Sequence, residues 1–361
     1  MGARTRGLAN NVLSSGKLDA TDAISGTIAA GNIANASLDN ATTYGSVTGG
    51  VPAVASDPPS PAEGDIWYNT TTGTLRFRSK LGAWATGGTM NSARRVEGIG
   101  TQTAALGFGG TPPVSGLTES YNGTSWTEVN DLNNGRTFVT GDGTQTSGII
   151  TGGFQPGPLP NQKAFVETWN GTSWTEVGDL NNERNSAGVA AADSTAALVF
   201  GGNPSSPPTT SGFTESWNGS SWTEVNDLNT VGNALTGLGI NTAALAIAGS
   251  DSREPGLTES WNGTSWTEVN DLNTGRQSMA AAGTSTAGLV AGGYSTISEA
   301  RTEVWDGTSW SEVGDLSTAR YALNGDGTTT SALAFGGQTT VSLAATEEWN
   351  AGAANLNVDL A

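Results

Sequence analysis

Short stretches in which polar residues alternate with an aromatic residue return along most of the chain. In the stretch Gly116–Val129, such a run meets Asn-Gly, and a second alternating run follows it. Alternation with a period of two is typical of a β-strand with one buried face. Asn-Gly tolerates positive φ at both central positions of a two-residue type I′ hairpin turn. We therefore predict a hairpin that turns at Asn122-Gly123, with Tyr121 paired to Thr124.

The same register places Glu119 opposite Trp126. Because side chains alternate along a strand, Tyr121 and Trp126 then emerge on one face of the hairpin. Each copy of the stretch presents such an aromatic pair, which needs a cover. We expect the next copy to supply it.

The repeat has a nearly constant period. The second aromatic residue recurs after 48, 48, 44 and 44 residues, at Trp126, Trp174, Trp222, Trp266 and Trp310. A period near 45 residues with strand-like segments alone indicates a propeller or an array. One unit is predicted to contain four antiparallel strands, labelled A to D, at Ala187–Ala192, Ala196–Gly202, Phe213–Asn218 and Ser221–Asn226, which is the content of one propeller blade.

Two further features recur at fixed places in the unit. Strand B ends in Gly-Gly, and an arginine stands ten residues after the strand-D tryptophan, at Arg136, Arg184, Arg276 and Arg320. The pattern resembles the kelch β-propeller repeat over residues 90–361. Two copies depart from it: the unit ending at Trp222 is followed by Asn233 at the arginine position, and the fourth unit has Gly249-Ser250 in place of Gly-Gly.

The spacing also indicates how the ring closes. Trp84 stands ten residues before Arg94, as a strand-D tryptophan should, whereas Ala354 stands where the last unit needs a tryptophan. We predict that Gly82–Thr86 pairs with Ala344–Asn350 and closes a ring of six blades. The alternative is seven blades, with Asn355–Leu360 as the last strand D and Asp65–Thr86 as an incomplete blade.

The N-terminal part differs in composition. Residues 1–60 are rich in Ala, Gly, Asn, Ser and Thr, with too few large apolar residues to fold alone. They are either a flexible linker or an attachment arm whose apolar residues are buried by other copies or by a host particle. We divide the chain into an extended arm with a Pro-rich linker (1–61) and an all-β propeller domain (62–361). Within that domain, residues 62–89 hold N-terminal strands, predicted at Asp65–Asn69, Thr74–Arg78 and Ala83–Thr86, and six repeats occupy 90–361.

Composition excludes several classes of function. The chain has 361 residues, no Cys and no His, so Ser-His triads and thiolate or imidazole metal sites are absent. The formal net charge of −18 argues against nucleic-acid binding, which needs clustered Lys and Arg. No apolar run approaches the ~20 residues of a membrane span, and the charged N-terminus lacks the apolar region of a signal peptide. We expect no membrane insertion.

Carboxylates recur in pairs within the hairpins, for example Glu119 with Glu128 and Glu167 with Glu176. Paired acids occur in glycoside hydrolases, but a pair in every blade indicates architecture, because one ring needs one active site. We expect one Glu of each pair to contact the arginine that follows the tryptophan. Asp142-Gly-Thr and Asp326-Gly-Thr are predicted as A–B turns. We predict no catalytic residue, no metal and no cofactor.

The copies differ mainly in the B–C loops. These loops lie at Thr111–Ser115, Phe154–Lys163, Asn203–Ser211, Ser250–Pro255, Tyr294–Ser298 and Gln338–Ser342. Variable loops on one face of a rigid ring have the form of a binding surface, although drift in unconstrained loops gives the same pattern. The candidate contacts are Phe154, Gln155, Arg253 and Tyr294, since aromatic and amide side chains suit sugars.

The opening Ala-Arg-Thr-Arg-Gly-Leu-Ala-Asn and the motif Glu63–Gly73 resemble fibre or appendage proteins of tailed bacteriophages. The resemblance implies a virion structural protein, made in the bacterial cytoplasm, that contacts other virion proteins through residues 1–60. The propeller would then touch a host-surface glycan or protein, and such shafts are commonly trimeric. Two other functions remain open: a cellular protein-interaction scaffold, and a propeller enzyme acting on glycans.

Overall fold

The computed structural model describes residues 52–56, 58, 66–79, 82–157, 160–205, 210–250, 255–351 and 354–358. These residues belong to two units. One is the segment Gly82–Ala351, and the other combines the described residues before Leu81 with Ala354–Val358. The division falls at Gly82, inside the range 62–89 that the sequence assigns to the N-terminal strands.

The segment Gly82–Ala351 contains six four-stranded antiparallel sheets, here called blades 1 to 6, each ordered A-B-C-D. Blades 1 and 2 comprise Arg95–Thr101, Ala104–Thr111, Thr118–Tyr121 and Trp126–Val129, then Thr140–Thr144, Ser147–Thr151, Val166–Trp169 and Trp174–Glu176. Blades 3 and 4 comprise Gly188–Asp193, Ala196–Phe200, Thr214–Trp217 and Trp222–Val225, then Thr236–Ile240, Ala243–Ile247, Thr258–Trp261 and Trp266–Val269. Blades 5 and 6 comprise Ala280–Thr284, Ala287–Ala291, Thr302–Trp305 and Trp310–Glu312, then Asn324–Thr328, Ser331–Phe335, Thr346–Asn350 and Ala83–Thr86. A short extra ladder joins Arg184–Asn185 to Asn203–Pro204.

Strand A of each blade lies innermost. It contacts strand A of the next blade, and the strand A of blade 6 contacts that of blade 1, so the ring is closed around a central channel. All elements of the described residues are strands. The predicted all-β propeller is therefore confirmed, and the four strands expected in the unit ending at Trp222 form blade 3.

The ring closes through strands from both ends of its segment. Ala83–Thr86 is strand D of blade 6 and pairs antiparallel with Thr346–Asn350, which places Trp84 opposite Trp349. The two indole rings lie 5.5 Å apart. This is the pairing that the spacing of Trp84 predicts. The alternative strand D does not form, because Ala354–Val358 pairs with Thr74–Ser79 in the other unit.

The hairpin register differs from the predicted one. Tyr121 pairs with Trp126 and Glu119 with Glu128, so the loop has four residues and the two-residue turn is wrong. The cause is the side chain of Asn122, whose Oδ1 accepts hydrogen bonds from the backbone N–H groups of Thr124 and Ser125, both at 2.9 Å. This local bond closes a longer loop in which Gly123 alone takes a positive φ, +87°. The predicted shared face is confirmed, since the rings of Tyr121 and Trp126 lie 4.9 Å apart.

Each strand-D tryptophan is covered by the preceding blade. The Trp174 ring packs edge-on against Phe108 of blade 1 at 5.2 Å, and its Nε1–H donates to Thr118 Oγ1 at 3.1 Å. Trp126 repeats the contact against Phe335 of blade 6, and its Nε1–H donates to Thr346 Oγ1. The six apolar clusters of the ring each draw residues from two neighbouring blades. Another copy covers each aromatic pair as expected, but that copy is the preceding blade and not the next one.

Strand B ends in a pair of residues with left-handed backbone. Gly109 and Gly110 have φ of +62° and +106°, and a Cβ on Gly110 would lie 1.9 Å from the Arg95 carbonyl oxygen. The Gly110 N–H donates to the Arg136 carbonyl at 3.0 Å. The pair therefore turns the chain so that the connection to the next blade can dock.

The fourth repeat departs from this pattern, as predicted. The positions involved precede the predicted Asn233 and Gly249-Ser250 by one residue. The bond equivalent to Gly110–Arg136 runs from Gly202 N–H to the Gly232 carbonyl, so Gly232 occupies the arginine position and Asn233 follows it. The pair that ends strand B of blade 4 is Ala248-Gly249, with φ of +58° and +123°. Ala248 thus keeps the left-handed conformation without being glycine.

The second unit is a four-stranded sheet. Its order is Ala53–Val54, Ile66–Asn69, Thr74–Ser79 and Ala354–Val358, with the first pair parallel and the others antiparallel. The turn after Asn69 is fixed by its side-chain oxygen, which accepts from the N–H groups of Thr71 and Thr72 at 3.1 Å. The strands predicted around Trp67 and Leu75 are confirmed. Residues 1–51 of the predicted arm lie outside the described residues.

We predict that Trp84→Ala will destabilise the propeller by about 3 kcal/mol, because it removes a large ring from the closing strand. It also removes the hydrogen bond from Trp84 Nε1 to Thr302 Oγ1, 2.9 Å long. The midpoint of urea unfolding measures the loss, and hydrogen exchange should accelerate in Thr346–Asn350. Ala85→Ser, an exposed change on the same strand, is the control. Unchanged exchange in Trp84→Ala would contradict closure by this strand.

Candidate functional site

The paired carboxylates of the hairpins have unequal surroundings. The strand-C member of each pair is buried and the strand-D member is exposed, as Glu167 and Glu176 show. Glu167 Oε1 accepts from Arg136 Nη1 at 2.5 Å, and Oε2 accepts from the backbone N–H and Nδ2 of Asn133, both at 2.8 Å. Burial lowers the pKa of Arg136, and the Glu167 carboxylate opposes that change.

The same ion pair is found in five of the six blades, at Arg94–Glu119, Arg136–Glu167, Arg184–Glu215, Arg276–Glu303 and Arg320–Glu347. The prediction that one Glu of each pair contacts the arginine after the tryptophan is confirmed in these five blades, whereas in blade 4, which lacks the arginine, Glu259 accepts from Asn229. The Glu belongs to the repeat that follows the arginine. Since the chain between two blades is thereby tied to the second blade, these acids serve the architecture of the ring.

The B–C loop candidates lie on one face of the ring but not together. Phe154 bridges Thr137 and Gln162 in blade 2, and Gln155 Nε2 donates to the Gly135 carbonyl at 3.2 Å. Tyr294 belongs to blade 5, three blades away, where its half-exposed ring lies 5.1 Å from that of Tyr321. Arg253 lies outside the described residues. Tyr321 therefore lies beside the candidate Tyr294, and these two residues are far from the candidates Phe154 and Gln155 in blade 2.

The two faces of the ring differ in chemistry. Among the described residues of Gly82–Ala351, six large apolar side chains are exposed. Five belong to the B–C loops or to the D–A connections on the same face: Phe138, Val231, Tyr294, Ile297 and Val341. Ile240, at the end of a strand A, is on the opposite face, where the C–D turns repeat Asn-Gly or Asp-Gly. The variable face is thus also the apolar one.

A channel of about 360 Å³ runs inside the ring of strands A. Small residues form much of its wall, as in Gly141, Ala191, Gly237 and Ala282. They fit a position where six strands converge and side-chain volume is limiting. Three acidic side chains, Glu97, Asp142 and Asp326, also line this channel.

Asp142 and Asp326 join neighbouring blades through backbone N–H groups. Asp142 Oδ1 accepts from Gly143 at 2.6 Å and Oδ2 accepts from Ala191 of blade 3 at 2.7 Å. Asp326 contacts Gly327 in the same way and accepts from Gly100 of blade 1. Loss of hydration raises the pKa of Asp142 to about 7, and burial with the nearby charge of Asp142 raises the pKa of Asp326 well above its usual value.

Glu97 lies closer to the B–C face. Its Oε2 accepts from Asn324 Nδ2 at 3.1 Å, and burial raises its pKa to about 8. Sequence reasoning missed this residue and misassigned both aspartates, because Asp-Gly is a strong turn signal. The turns are at Gln145-Thr146 and the equivalent residues, so Asp142 and Asp326 lie inside strands A. The sequence signal that could have identified these channel acids was a carboxylate in a strand of otherwise small residues.

The described residues contain no group of three or more His, Cys, Asp or Glu residues placed to hold a metal ion. No helix among them has the length and apolarity to span a bilayer.

Comparison with known proteins informs the fold. No family model matches the chain, and no curated protein matches it. Among solved structures, the chain is similar to one titled "Structure of YjhT", with a TM-score of 0.61 and 12% sequence identity, over 73% of this chain and 96% of that chain. At this identity the likeness concerns the fold alone, and it supports the propeller assignment.

We predict that Glu167→Leu or Arg136→Met alone will destabilise the protein by about 3–5 kcal/mol, because each leaves a buried charge without its partner. The double variant should cost less than the sum of the two. A double-mutant cycle in urea measures the coupling, with exposed Glu176→Gln as the control, expected within about 0.5 kcal/mol of the parent. Additive losses would contradict an ion pair that acts as a unit.

We predict that the protein becomes less stable as pH rises from 5 to 8.5. The pKa values of Glu97, Asp142 and Asp326 are raised in the folded state. Their stabilising contribution is therefore complete below the unfolded pKa of about 4 and is lost as pH passes through about 7 to 8. Thermal unfolding at each pH measures the slope.

A matched variant identifies the groups responsible. The triple change Glu97→Gln, Asp142→Asn and Asp326→Asn should flatten the slope, whereas exposed Glu176→Gln should leave it unchanged. A triple variant with the parental slope would show that the channel acids do not cause it.

Proposed function

We propose that this protein is a structural component of a bacteriophage virion, a tail fibre or capsid appendage, whose propeller binds the host surface. Residues 1–60 attach it to other virion proteins, and the chain assembles as a trimer, as the resemblance to such appendages implies. The B–C face is the binding surface. The protein acts by binding and not by catalysis.

One observation carries the proposal. The residues that every blade repeats hold the ring together. Among the described residues of Gly82–Ala351, five of the six exposed large apolar side chains lie on the face where the copies differ. Ile297 and Val341 are the most exposed, at 65% and 63%, and each stands at the tip of a short B–C loop. Apolar groups at loop tips on a rigid scaffold are typical of a recognition surface.

The acids of the ring support binding over catalysis. The buried strand-C glutamates are occupied by arginine and asparagine donors, as at Glu167. Both oxygens of Asp142 accept backbone N–H groups in the channel. A propeller enzyme would need one free acid pair open to substrate, and turnover of a host glycan by the purified chain would favour that alternative.

We predict that the full chain will bind cells of the phage host and that Ile297→Ser with Val341→Ser will weaken this binding at least several-fold. The loss of apolar contact area is the cause. Labelled protein and flow cytometry measure the binding, and Ile240→Ser on the opposite face is the matched control. Antibody labelling of virions in the electron microscope tests the location. Equal binding by both variants, or unlabelled virions, would contradict the proposal.

A further inference from the structure

The residues that lead into strand A form a ring at the mouth of the channel on the B–C face. We call Phe138, Ser186, Ala234, Ser278 and Ala322 the mouth residues, one from each of blades 2 to 6 in order. Backbone hydrogen bonds link several of them, from Ser186 N–H to the Phe138 carbonyl at 3.0 Å and from Ala322 N–H to the Ser278 carbonyl at 2.9 Å. Four of the five are Ser or Ala, so Phe138 in blade 2 is the exception.

Phe138 is held in an unusual conformation. Its φ is +52°, in the left-handed region that costs a residue with a Cβ of order 1 kcal/mol or more. The residue is 39% exposed, so a large part of its apolar surface contacts solvent. The four Ser and Ala mouth residues share this backbone with φ between +50° and +57°. The fold therefore requires the conformation but not the phenyl group.

Arg95, at the start of strand A in blade 1, pairs with Thr111 as Thr137 pairs with Phe154 in blade 2, so it stands at the position before that of Phe138. A β-bulge between Arg95 and Glu97 redirects its side chain. The guanidinium lies over the Phe138 ring, with Cζ 5.8 Å from the ring centre, and Nε is buried without a hydrogen-bond partner. The ring arginines that follow a strand-D tryptophan are paired with glutamate, as Arg94 is with Glu119. Arg95 makes no ion pair with a described residue.

The acid in the same strand does not neutralise this charge near neutral pH. Glu97, two residues further along, is bonded to Asn324, and its pKa of about 8 keeps its carboxyl group mostly protonated. A guanidinium presents its N–H groups at its edge, so stacking on Phe138 orients those groups without occupying them. An oxyanion is the ligand that this edge binds best.

We propose that Arg95 and Phe138 form a binding site for a sugar ring that carries an oxyanion group, with the guanidinium on the anion and the phenyl ring against the apolar face of the sugar. The site lies on the B–C face and opens onto a channel of about 360 Å³, a volume suited to a small ligand. This inference rests on the proposed binding role of that face and names its ligand class.

The test uses the full chain and three probes of one ring type: methyl β-D-glucuronide, methyl β-D-glucoside 6-sulfate and neutral methyl β-D-glucoside. Ligand-observed NMR titration gives each dissociation constant. We expect the glucuronide to bind the parent, and Arg95→Ala to weaken it about tenfold or more through the loss of a charged hydrogen bond. Phe138→Ser should weaken it several-fold, and the neutral glucoside should bind weakly and equally to parent and Arg95→Ala.

The design separates folding from binding. Ser already occupies the position of Phe138 in blades 3 and 5, and Arg95 makes no ion pair with a described residue, so both variants should fold, and thermal unfolding verifies this. Arg95→Lys keeps the charge without the planar fork and should bind the glucuronide with intermediate affinity. It replaces Arg95→Ala in the test if Arg95→Ala is unstable. Arg301→Ala, which removes the same charge from a half-exposed site, should leave binding unchanged.

The outcomes show which anionic group the site binds, or they contradict the site. Binding of the sulfated sugar alone, lost in Arg95→Ala, supports the same site with a sulfate ester as its anion. Equal glucuronide binding by parent and Arg95→Ala, or no binding of either anionic sugar, would overturn the inference. If the parent chain then still binds host cells through Ile297 and Val341, the proposed function stands without this site.

Discussion

The contact between one blade's strand-D tryptophan and the preceding blade is the interaction on which the rest of the structure depends. A single blade has two faces and cannot bury its own indole, so Trp174 needs Phe108 and Thr118 of the blade before it. Because every blade depends on a neighbour, a linear array would leave one indole uncovered. Closure through Trp84 removes that exposed end and also satisfies the open sheet edge.

The buried ion pairs impose a second constraint on the same geometry. An arginine from the connection between blades and a glutamate from the following blade fix that connection, and Asn133 adds two bonds to Glu167. Such pairs contribute little net stability relative to apolar packing but penalise any other register strongly. The repeated polar residues thus specify how blades are joined. They leave the B–C loops, which contribute to neither constraint, free to vary.

The sequence predicted the ring well because its determinants are local and periodic. The position of Trp84 relative to Arg94 was enough to predict the closing pair with Trp349. The hairpin register was wrong because Asn122 forms a side-chain bond that competes with the two-residue turn. Channel acids and mouth residues could not be predicted in this way. Their neighbours come from blades about 45 to 230 residues away, as the bond from Gly100 to Asp326 shows.

In a ring of near-identical blades, a departure from the repeat is more informative than the repeat itself. Each repeated residue can be explained by the contacts that all blades share. Blade 4 loses its arginine at Gly232 and takes Ala248 for glycine, yet its four strands still form, so the fold tolerates single departures. Arg95 and Phe138 are a different case. Phe138 stands where Ser or Ala suffices in blades 3 to 6, and it lies against Arg95, a cation without an ion pair to a described residue. The shared contacts of the blades do not account for this pair, and the proposed binding site does.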